Sequence, residues 1–332
     1  MKYRSLGRTG VQVSELCVGT MNFGDDADEQ LSIKIVNAAI EAGINFFDSA
    51  NIYMAGESER ILGAALSQSN NRDKVFVATK GHGLMDPHDP NSWGNHRHNL
   101  VRACEDSLRR LKTDHIDLYQ LHRPQPSIPI DETLRALDSL IQHGKVRYIG
   151  TSNFSGWQMV ESIWASKELN LPRFVAEQPP YNLLDRRIER DLIPACQTYG
   201  VAVLPWAPIA GGILSGKYKI GQVRPEDSRY KAGATANRDN DTALAAVDKF
   251  VAFCGDRNVI PAQFALAWCL NQPGVTSPIV GPRTLDQLQA YIESTRLDVT
   301  DSDRATIDTI FKPGTHVSEY YNTNSGPTAR WI

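Results

Sequence analysis

The sequence has no long apolar run and no excess of charge of one sign. No stretch approaches the ~18 consecutive apolar residues that a membrane helix needs, and residues 1–6 lack the apolar segment of a signal peptide. Lys and Arg total 35 against 38 Asp and Glu, a net charge of -3. Because nucleic acids and anionic membranes attract basic surfaces, we expect a protein that binds neither. Because a signal segment is lacking, we expect it in the cytoplasm.

The sequence also lacks cysteine pairs and metal-ligand spacings. Its five cysteines are odd in number and widely spaced, with no C-x-x-C, which is typical of buried thiols in a reducing compartment. Four of the eight histidines cluster in one stretch that contains no H-E-x-x-H or comparable pair: His82, His88, His96 and His98. We therefore expect no metal there and interpret the stretch as a loop that faces the substrate.

Two common glycine motifs for nucleotides are absent. No G-x-G-x-x-G follows a candidate strand, since Gly81-His82-Gly83 lacks the third glycine. Residues 211–218 fit G-x-x-x-x-G-K, but Tyr218 stands where a P-loop needs Ser or Thr to bind Mg²⁺. These absences argue against a doubly wound dinucleotide-binding sheet and an NTPase, although the glycines could still cradle a phosphate of another ligand.

Short β-branched runs recur along the chain, each followed by an amphipathic segment of helical length. The eight candidate strands are residues 15–19, 45–48, 75–79, 116–121, 146–150, 174–177, 201–205 and 276–280. The first seven start about 30 residues apart, the length of one βα unit. One intervening helix is predicted to end at Gly43, a suitable C′ residue. Eight strands alternating with helices predict an α/β fold, a parallel (β/α)8 TIM barrel.

The chain is longer than a minimal barrel. Its 332 residues exceed the ~250 of a typical barrel by ~80, which could indicate a second domain. The excess is instead assigned to three additions: an N-terminal β-hairpin at residues 1–14 that plugs the barrel's bottom, a long loop after strand seven at residues 208–240, and a C-terminal extension at residues 295–332. We expect one barrel domain over residues 1–332.

Four residues with complementary chemistry fall where a barrel carries its active site, at the C-terminal ends of strands. Asp48 ends the second strand, with Tyr53 five residues further on, and Lys80 and His122 follow the third and fourth strands. Each residue alone has an ordinary structural explanation. A carboxylate, a phenol, an ammonium and an imidazole converging on one mouth nevertheless make a coherent catalytic unit.

The proposed unit makes a tyrosine able to transfer a proton. A tyrosine of ordinary pKa near ~10 exchanges protons poorly at neutral pH, and a nearby ammonium such as Lys80 would lower that pKa. Asp48 would keep a buried Lys80 charged, while a neutral His122 could polarise a carbonyl oxygen. The arrangement suits protonation of a developing alkoxide and requires a hydride from elsewhere.

The motif at residues 47–63, Phe-Asp-Ser-Ala-Asn-Ile-Tyr-Met-Ala-Gly-Glu-Ser-Glu-Arg-Ile-Leu-Gly, resembles the signature of the aldo-keto reductases around their catalytic Asp and Tyr. The resemblance extends over nearly the whole chain through further short segments: residues 19–21, 78–80, 121–124, 150–154, 181–186 and 216–218. Ser49 and Met54 stand where Thr and Gly are usual, which bears on substrate shape. The resemblance implies reversible reduction of an aldehyde or ketone by NADPH, with Tyr53 as proton donor.

The resemblance also implies how NADPH is held. Ser152, Asn153 and Gln178 would bind the nicotinamide carboxamide, and Trp206 would stack on the ring. A glycine-rich loop would cover the pyrophosphate, and a segment after the last strand would bind the 2′-phosphate and adenine, although Tyr291 replaces a common adenine-binding Asn. The implied cofactor residues are Gly19, Thr20, Met21, Asp48, Ser152, Asn153, Gln178, Trp206, Ala207, Pro208, Ile209, Gly211, Gly212, Lys217, Arg229, Gly281, Arg283 and Gln287.

Two other functions remain open at this point. The channel β-subunits, which resemble this family, indicate that such a barrel can serve as an NADPH-binding sensor or interaction protein, and an isomerase or lyase without nicotinamide is a third alternative. Aromatic residues near the mouth predict a partly apolar substrate pocket: Phe23, Tyr53, Trp93 and Trp206. No heptad or apolar stripe indicates an oligomeric state.

Overall fold

The computed structural model of the chain describes residues 1–68, 70–226, 228 and 239–317. An antiparallel pair opens it, β1 (Tyr3–Ser5) and β2 (Gln12–Ser14). Eight strands then form one parallel sheet. These strands are β3 (Cys17–Gly19), β4 (Phe46–Asp48), β5 (Phe76–Gly81), β6 (Ile116–Leu121), β7 (Val146–Ser152), β8 (Ala176–Gln178), β9 (Ala202–Val203) and β10 (Ile279–Val280).

The parallel sheet curls so that its two ends meet. Its strand order is β10-β3-β4-β5-β6-β7-β8-β9. The two end strands, β9 and β10, are joined by backbone hydrogen bonds of the residues in and around them. The N–H of Thr276 donates to the carbonyl of Val203 and the N–H of Ile279 to that of Pro205, both at 2.8 Å. The eight parallel strands are therefore consistent with the (β/α)8 barrel expected from the sequence.

The helices follow the strands, as parallel pairing requires. They are α1 (Glu29–Glu41), α2 (Glu57–Gln68), α3 (Arg97–Leu111), α4 (Ile130–Gln142), α5 (Gly156–Glu168), α6 (Leu192–Tyr199), α7 (Asp241–Asp256), α8 (Pro261–Leu270), α9 (Leu285–Ser294) and α10 (Asp301–Ile310). Side chains cap several of them; Asp28 accepts the N–H of Leu31, and Thr284 that of Gln287. As predicted, α1 ends just before Gly43, whose φ of +85° suits a C′ glycine.

The strands divide the core into an inner and an outer layer. Successive side chains of a strand point to opposite faces, so Phe46 belongs to the inner cluster, whereas Phe47 packs in the outer cluster. Leu6 and Val13, from the N-terminal hairpin segment, also belong to the inner cluster. All five cysteines are buried free thiols.

The last two strands are shorter than the candidate segments 201–205 and 276–280. Pro205 and Pro278 lie in these segments, and proline has no N–H to donate to a ladder. The pairing continues beyond β9 only as isolated bridges, such as that between Trp206 and Ile279.

The long loop after β9 contains a 3₁₀ helix at Ala210–Ser215 before α7 begins. Arg229 lies outside the described residues, as do residues 318–332 of the C-terminal extension. Among the helices of the described part, none is both long and apolar enough to cross a membrane.

Candidate active site

The four candidate catalytic side chains lie in one cluster at the C-terminal ends of three neighbouring strands. Asp48 ends β4, Lys80 is the penultimate residue of β5, and His122 directly follows β6. The Lys80 Nζ lies 2.6 Å from Asp48 Oδ2 and 3.3 Å from the Tyr53 hydroxyl. The rings of Tyr53 and His122 meet edge to face, 5.7 Å between centroids. Sequence reasoning thus identified groups that do come together; their catalytic roles stay a prediction.

Lys80 is fully buried yet keeps its charge. Burial alone would lower the pKa of Lys80, but the attractions of Asp48 and Tyr53 outweigh it and raise that pKa above its ordinary value. The ammonium also donates to the carbonyl of Ser49 at 2.7 Å. An ammonium whose raised pKa keeps it charged at neutral pH therefore lies beside the Tyr53 hydroxyl.

Two glutamine amides complete the environment of Asp48. Its Oδ1 accepts from Gln178 Nε2 at 2.8 Å and from Gln120 Nε2 at 3.1 Å, while Oδ2 faces Lys80. Sequence reasoning missed Gln120. The available signal was a polar residue two positions after Leu118, and so on the same face of the strand.

His122 is held in its neutral form. Burial, and then the positive charges of Lys80 and Arg123 and the proximity of His82, place the pKa of His122 well below its usual 6.5. A neutral imidazole keeps one N–H donor and one acceptor nitrogen. His122 can therefore donate a hydrogen bond to a carbonyl oxygen without giving up a proton.

Tyr53 lies on a strained turn. It begins a 3₁₀ helix, Tyr53–Gly56, in which Met54 and Ala55 have φ values of 46° and 53°. Left-handed backbone costs a non-glycine residue on the order of 1 kcal/mol. The strain is concentrated directly after the candidate proton donor, and α2 begins at once with Glu57, so the tyrosine is held between a strand end and a helix.

The residues implied for the nicotinamide carboxamide adjoin this cluster. Ser152 Oγ donates to the carbonyl of Gln178 at 2.9 Å. Asn153 Nδ2 donates to the carbonyl of His122 at 3.1 Å, and Trp206 Nε1 donates to Asn153 Oδ1 at 3.2 Å. Hydroxyl and amide groups at the ends of β7 and β8, with the Trp206 indole after β9, thus adjoin the catalytic candidates.

The loop after β9 contains several left-handed residues. Ala207, Ala210, Gly211 and Gly212 all have positive φ, from 50° to 95°. A Cβ at Gly212 would lie 4.0 Å from Nζ of Lys217, so an ammonium lies beside this turn. Pro208 and Ile209 form the same turn, and the Ile209 carbonyl accepts the N–H of Gly212.

The segment after β10 meets the segment after β3. The Gly281 carbonyl accepts a hydrogen bond from Asn22 at 2.9 Å, and Arg283 Nη1 lies 3.7 Å from Asp26 Oδ2. The backbone N–H of Arg283 donates to Gln287 Oε1 at 2.8 Å. Arg283 thus directly precedes Thr284, the N-cap of α9, and helix N-termini stabilise anions.

The segment after β3 lies beside the end of β4, which carries Asp48. Gly19 pairs with Asp48 in the sheet. The N–H of Thr20 donates to the Asp48 carbonyl at 2.9 Å, and its hydroxyl donates to Ser49 Oγ at 2.8 Å. Met21 is exposed next to them. Gly19 and Thr20 therefore border the cluster, and Met21 follows them in the chain.

The structure revises the expected places of Phe23 and His96. Phe23 is not a pocket aromatic, because it is fully buried in the outer core, where the Ser58 hydroxyl bonds its carbonyl. Trp93 is exposed and contacts the ring of His82, 6.0 Å between centroids. His96 instead caps α3. Within the described ranges, no three His, Cys, Asp or Glu residues could hold a metal ion.

Comparison with known proteins agrees with this geometry. The model of the family described as "Aldo/keto reductase family" matches residues 15–312. A Bacillus subtilis (strain 168) protein named "Uncharacterized oxidoreductase YrpG" is 39% identical over 97% of this chain and 99% of its own length. "Aldo-keto reductase YhdN" from the same organism is 33% identical over 94% of each.

A further relative has a different kind of name. The rice (Oryza sativa subsp. japonica) protein named "Probable voltage-gated potassium channel subunit beta" is 36% identical over 87% of this chain and 89% of its own length. On the family match, which spans nearly the whole chain, together with these relatives, this chain belongs to the aldo/keto reductase family.

Proposed function

We propose that the protein is an NADPH-dependent reductase that converts an aldehyde or ketone to an alcohol, reversibly. The observation that carries the proposal is the buried Lys80–Asp48 ion pair with the Tyr53 hydroxyl 3.3 Å from the ammonium. A lysine held charged beside a phenol has no evident structural need. It does serve a tyrosine that must release a proton.

The protein's own residues would handle the proton. As the carbonyl oxygen gains negative charge, neutral His122 donates a hydrogen bond to it and Tyr53 delivers its hydroxyl proton. The Lys80 ammonium stabilises the phenolate that remains, and Asp48 keeps the lysine charged. NADPH, when bound, supplies the hydride to the carbonyl carbon.

The residues present fit such a cofactor. Amides suited to a carboxamide adjoin the catalytic cluster at Asn153 and Gln178, and Trp206 offers an aromatic face beside them. The turn at residues 207–217 and the Arg283 guanidinium are suited to the pyrophosphate and the 2′-phosphate, respectively. The donor set thus matches an extended dinucleotide without a Rossmann motif.

The substrate is proposed to have an apolar body. Large apolar side chains that remain exposed are found in the loops that follow β3, β4 and β5: Met21, Ile52, Met54, Leu84 and Trp93. They favour a small-molecule alkyl or aryl carbonyl compound over a highly hydroxylated one. We also infer that residues 1–332 form one barrel domain that acts in the cytoplasm.

Replacing the candidate proton donor tests the proposal. Tyr53→Phe should lower kcat/KM for carbonyl reduction by about 10²–10⁴-fold, the usual contribution of general acid catalysis, while the Kd for NADPH stays within about twofold. Loss of NADPH absorbance over a panel of carbonyl compounds gives the first value, and NADPH fluorescence gives the second. Tyr3→Phe, at an exposed tyrosine outside the site, is the matched control. Wild-type turnover by Tyr53→Phe would remove the central claim.

The β-subunit relative favours a second candidate, an NADPH-binding sensor. The catalytic cluster does not discriminate between the two, because a sensor could retain it. Turnover does: a cofactor that binds tightly yet is oxidised by no compound in the carbonyl panel would favour the sensor.

A further inference from the structure

Glu177 is a buried acid on the outer side of the sheet, behind the nicotinamide-binding candidates. The β7–β8 register pairs Thr151 with Glu177 and Ser152 with Gln178. Because neighbouring side chains of a strand point to opposite faces, the Gln178 amide reaches Asp48, whereas the Glu177 carboxyl lies behind it. Glu177 is fully buried and has no part in the proton transfer proposed above.

The Glu177 carboxyl clasps the bend that carries Ser152 and Asn153. One oxygen accepts the backbone N–H of Phe154 at 3.0 Å, the other accepts the Thr151 hydroxyl, and the backbone N–H of Asn153 also contributes. No cation of the described chain acts on this carboxyl. A buried carboxylate without a cation is costly, and its bonds to the bend offset part of that cost.

The bend places several contacts of the site on one residue. Asn153 has φ +64°, a left-handed value that Asn adopts more readily than other non-glycine residues. Its side chain contacts three parts of the site: the His122 carbonyl, the Ser152 hydroxyl and the Trp206 indole N–H. A change of this bend would move all three contacts together.

We propose that Glu177 is a positioning residue that holds the bend at residues 151–154, and so presents Ser152 and Asn153 to the nicotinamide end of the cofactor. The proposal rests on the proposed function, since it requires that this end of the site binds a nicotinamide.

The same carboxyl makes the clasp sensitive to pH. Burial raises the pKa of Glu177 to about 8, against the bonds from Thr151, Phe154 and Asn153 that lower it. Val203 faces it from β9. From α6 the titratable neighbour is Cys196, whose pKa is raised by burial and then by Glu177 and Asp191. The thiol therefore stays neutral, and Glu177 is the group that titrates there.

Both protonation states can be bonded. When ionised, the carboxylate accepts the Thr151 hydroxyl. When protonated, its O–H can donate to Thr151 Oγ1, and the threonine proton can turn to the Ala176 carbonyl at 3.4 Å. Charge-assisted bonds are roughly twice as strong as neutral ones. The clasp is therefore firmer above about pH 8.

The test compares three variants by NADP⁺ titration of intrinsic tryptophan fluorescence from pH 6.5 to 9.5. Glu177→Gln copies the protonated acid, so its Kd should equal the wild-type Kd below pH 7 and exceed it by roughly three- to tenfold above pH 8.5. Glu177→Leu removes every acceptor and should bind NADP⁺ more weakly at all pH values. Thr151→Val, a milder change, should also weaken binding. Ser166→Ala, a buried hydroxyl on α5 away from the bend, is the control.

The cofactor-free protein gives an independent measurement. The unfolded chain releases the Glu177 proton near 4.5, whereas the folded protein keeps it to about pH 8. Rising pH therefore favours unfolding over this range, and the wild-type Tm should fall between pH 5 and 8.5 more than that of Glu177→Gln.

Each outcome is decisive for one of the two proposals. The positioning role would be overturned if Glu177→Gln had the wild-type Kd for NADP⁺ at every pH, and Thr151→Val and Glu177→Leu had it as well. A Glu177→Leu that fails to fold leaves that decision to the other two variants. Failure of the wild-type protein to bind NADP⁺ would instead contradict the proposed function.

Discussion

Lys80 is placed where its burial and its charge conflict. Desolvation of an ammonium costs several kcal/mol, and a buried ion pair repays this only with good geometry and further hydrogen bonds. Lys80 has both, from Asp48 at 2.6 Å and the Ser49 carbonyl at 2.7 Å. An apolar pair of the same volume would stabilise the barrel at least as well, so the ion pair is best explained by the tyrosine next to it.

Separating stability from chemistry at this residue requires two variants. Lys80→Met leaves the Asp48 charge buried without its cation, and should lower the free energy of unfolding by about 3–5 kcal/mol. It should also lower kcat by about 10²–10³-fold, because the phenolate loses its stabilising charge. Denaturant unfolding and steady-state kinetics measure the two effects.

The charge-balanced double variant is the control for that prediction. In Asp48→Asn/Lys80→Met no buried charge is left unpaired, so most of the stability should return while turnover stays low. If turnover returned together with stability, the lysine would be a purely structural residue.

At the scale of elements, the sequence predicted the strand ends better than it predicted what lies around them. Asp48, Lys80 and His122 could be placed because parallel strands direct their C-terminal ends to one edge, whatever the details of packing. Phe23 was placed wrongly because it lies in a loop, where the choice between pocket and core depends on tertiary packing. The left-handed turn at Met54 had no local signal, since neither it nor Ala55 is a glycine.

The packing of α2 on α3 depends on a close approach of their backbones that the sequence pattern does not reveal. In α2, a Cβ at Gly63 would lie 2.6 Å from the Leu111 carbonyl carbon and oxygen, at the end of α3. These backbone atoms cannot rotate away. The glycine therefore sets how closely α2, which directly follows the Tyr53 turn, packs on α3.

Two glycine-to-alanine changes give opposite results if this is correct. Gly63→Ala should destabilise the protein by about 1–3 kcal/mol, the usual cost of overpacking. Gly255→Ala lies in α7, where no atom of the described residues outside the local helix backbone comes within 4 Å of the new Cβ. It should be neutral or stabilising by up to about 1 kcal/mol, because alanine favours the helix. Thermal and denaturant unfolding measure both. Equal effects at the two positions would contradict a close contact between α2 and α3.

At the scale of the whole molecule, the site is closed by contact between the first and last parts of the chain. Asn22, just after β3, bonds the Gly281 carbonyl, just after β10, and Asp26 lies near the Arg283 guanidinium. The chain therefore has to complete its sheet before the proposed phosphate site exists, which explains why resemblance could assign Arg283 but local sequence pattern alone could not. The same contact makes the preference for NADPH a test of the whole arrangement.

Arg283→Ala should therefore weaken binding of NADPH but not of NADH. The guanidinium is the proposed partner of the 2′-phosphate, and hydrogen bonds to charged groups contribute about 1.5–3 kcal/mol, so the Kd for NADPH should rise roughly 10- to 100-fold. NADH has no such phosphate, and its Kd should stay within about twofold. Arg135→Ala, at an exposed arginine of α4, controls for the loss of one positive charge. Fluorescence titration of both cofactors at fixed ionic strength measures the ratio. Equal kcat/KM for NADH and NADPH in the wild-type protein would show that Arg283 does not bind a phosphate.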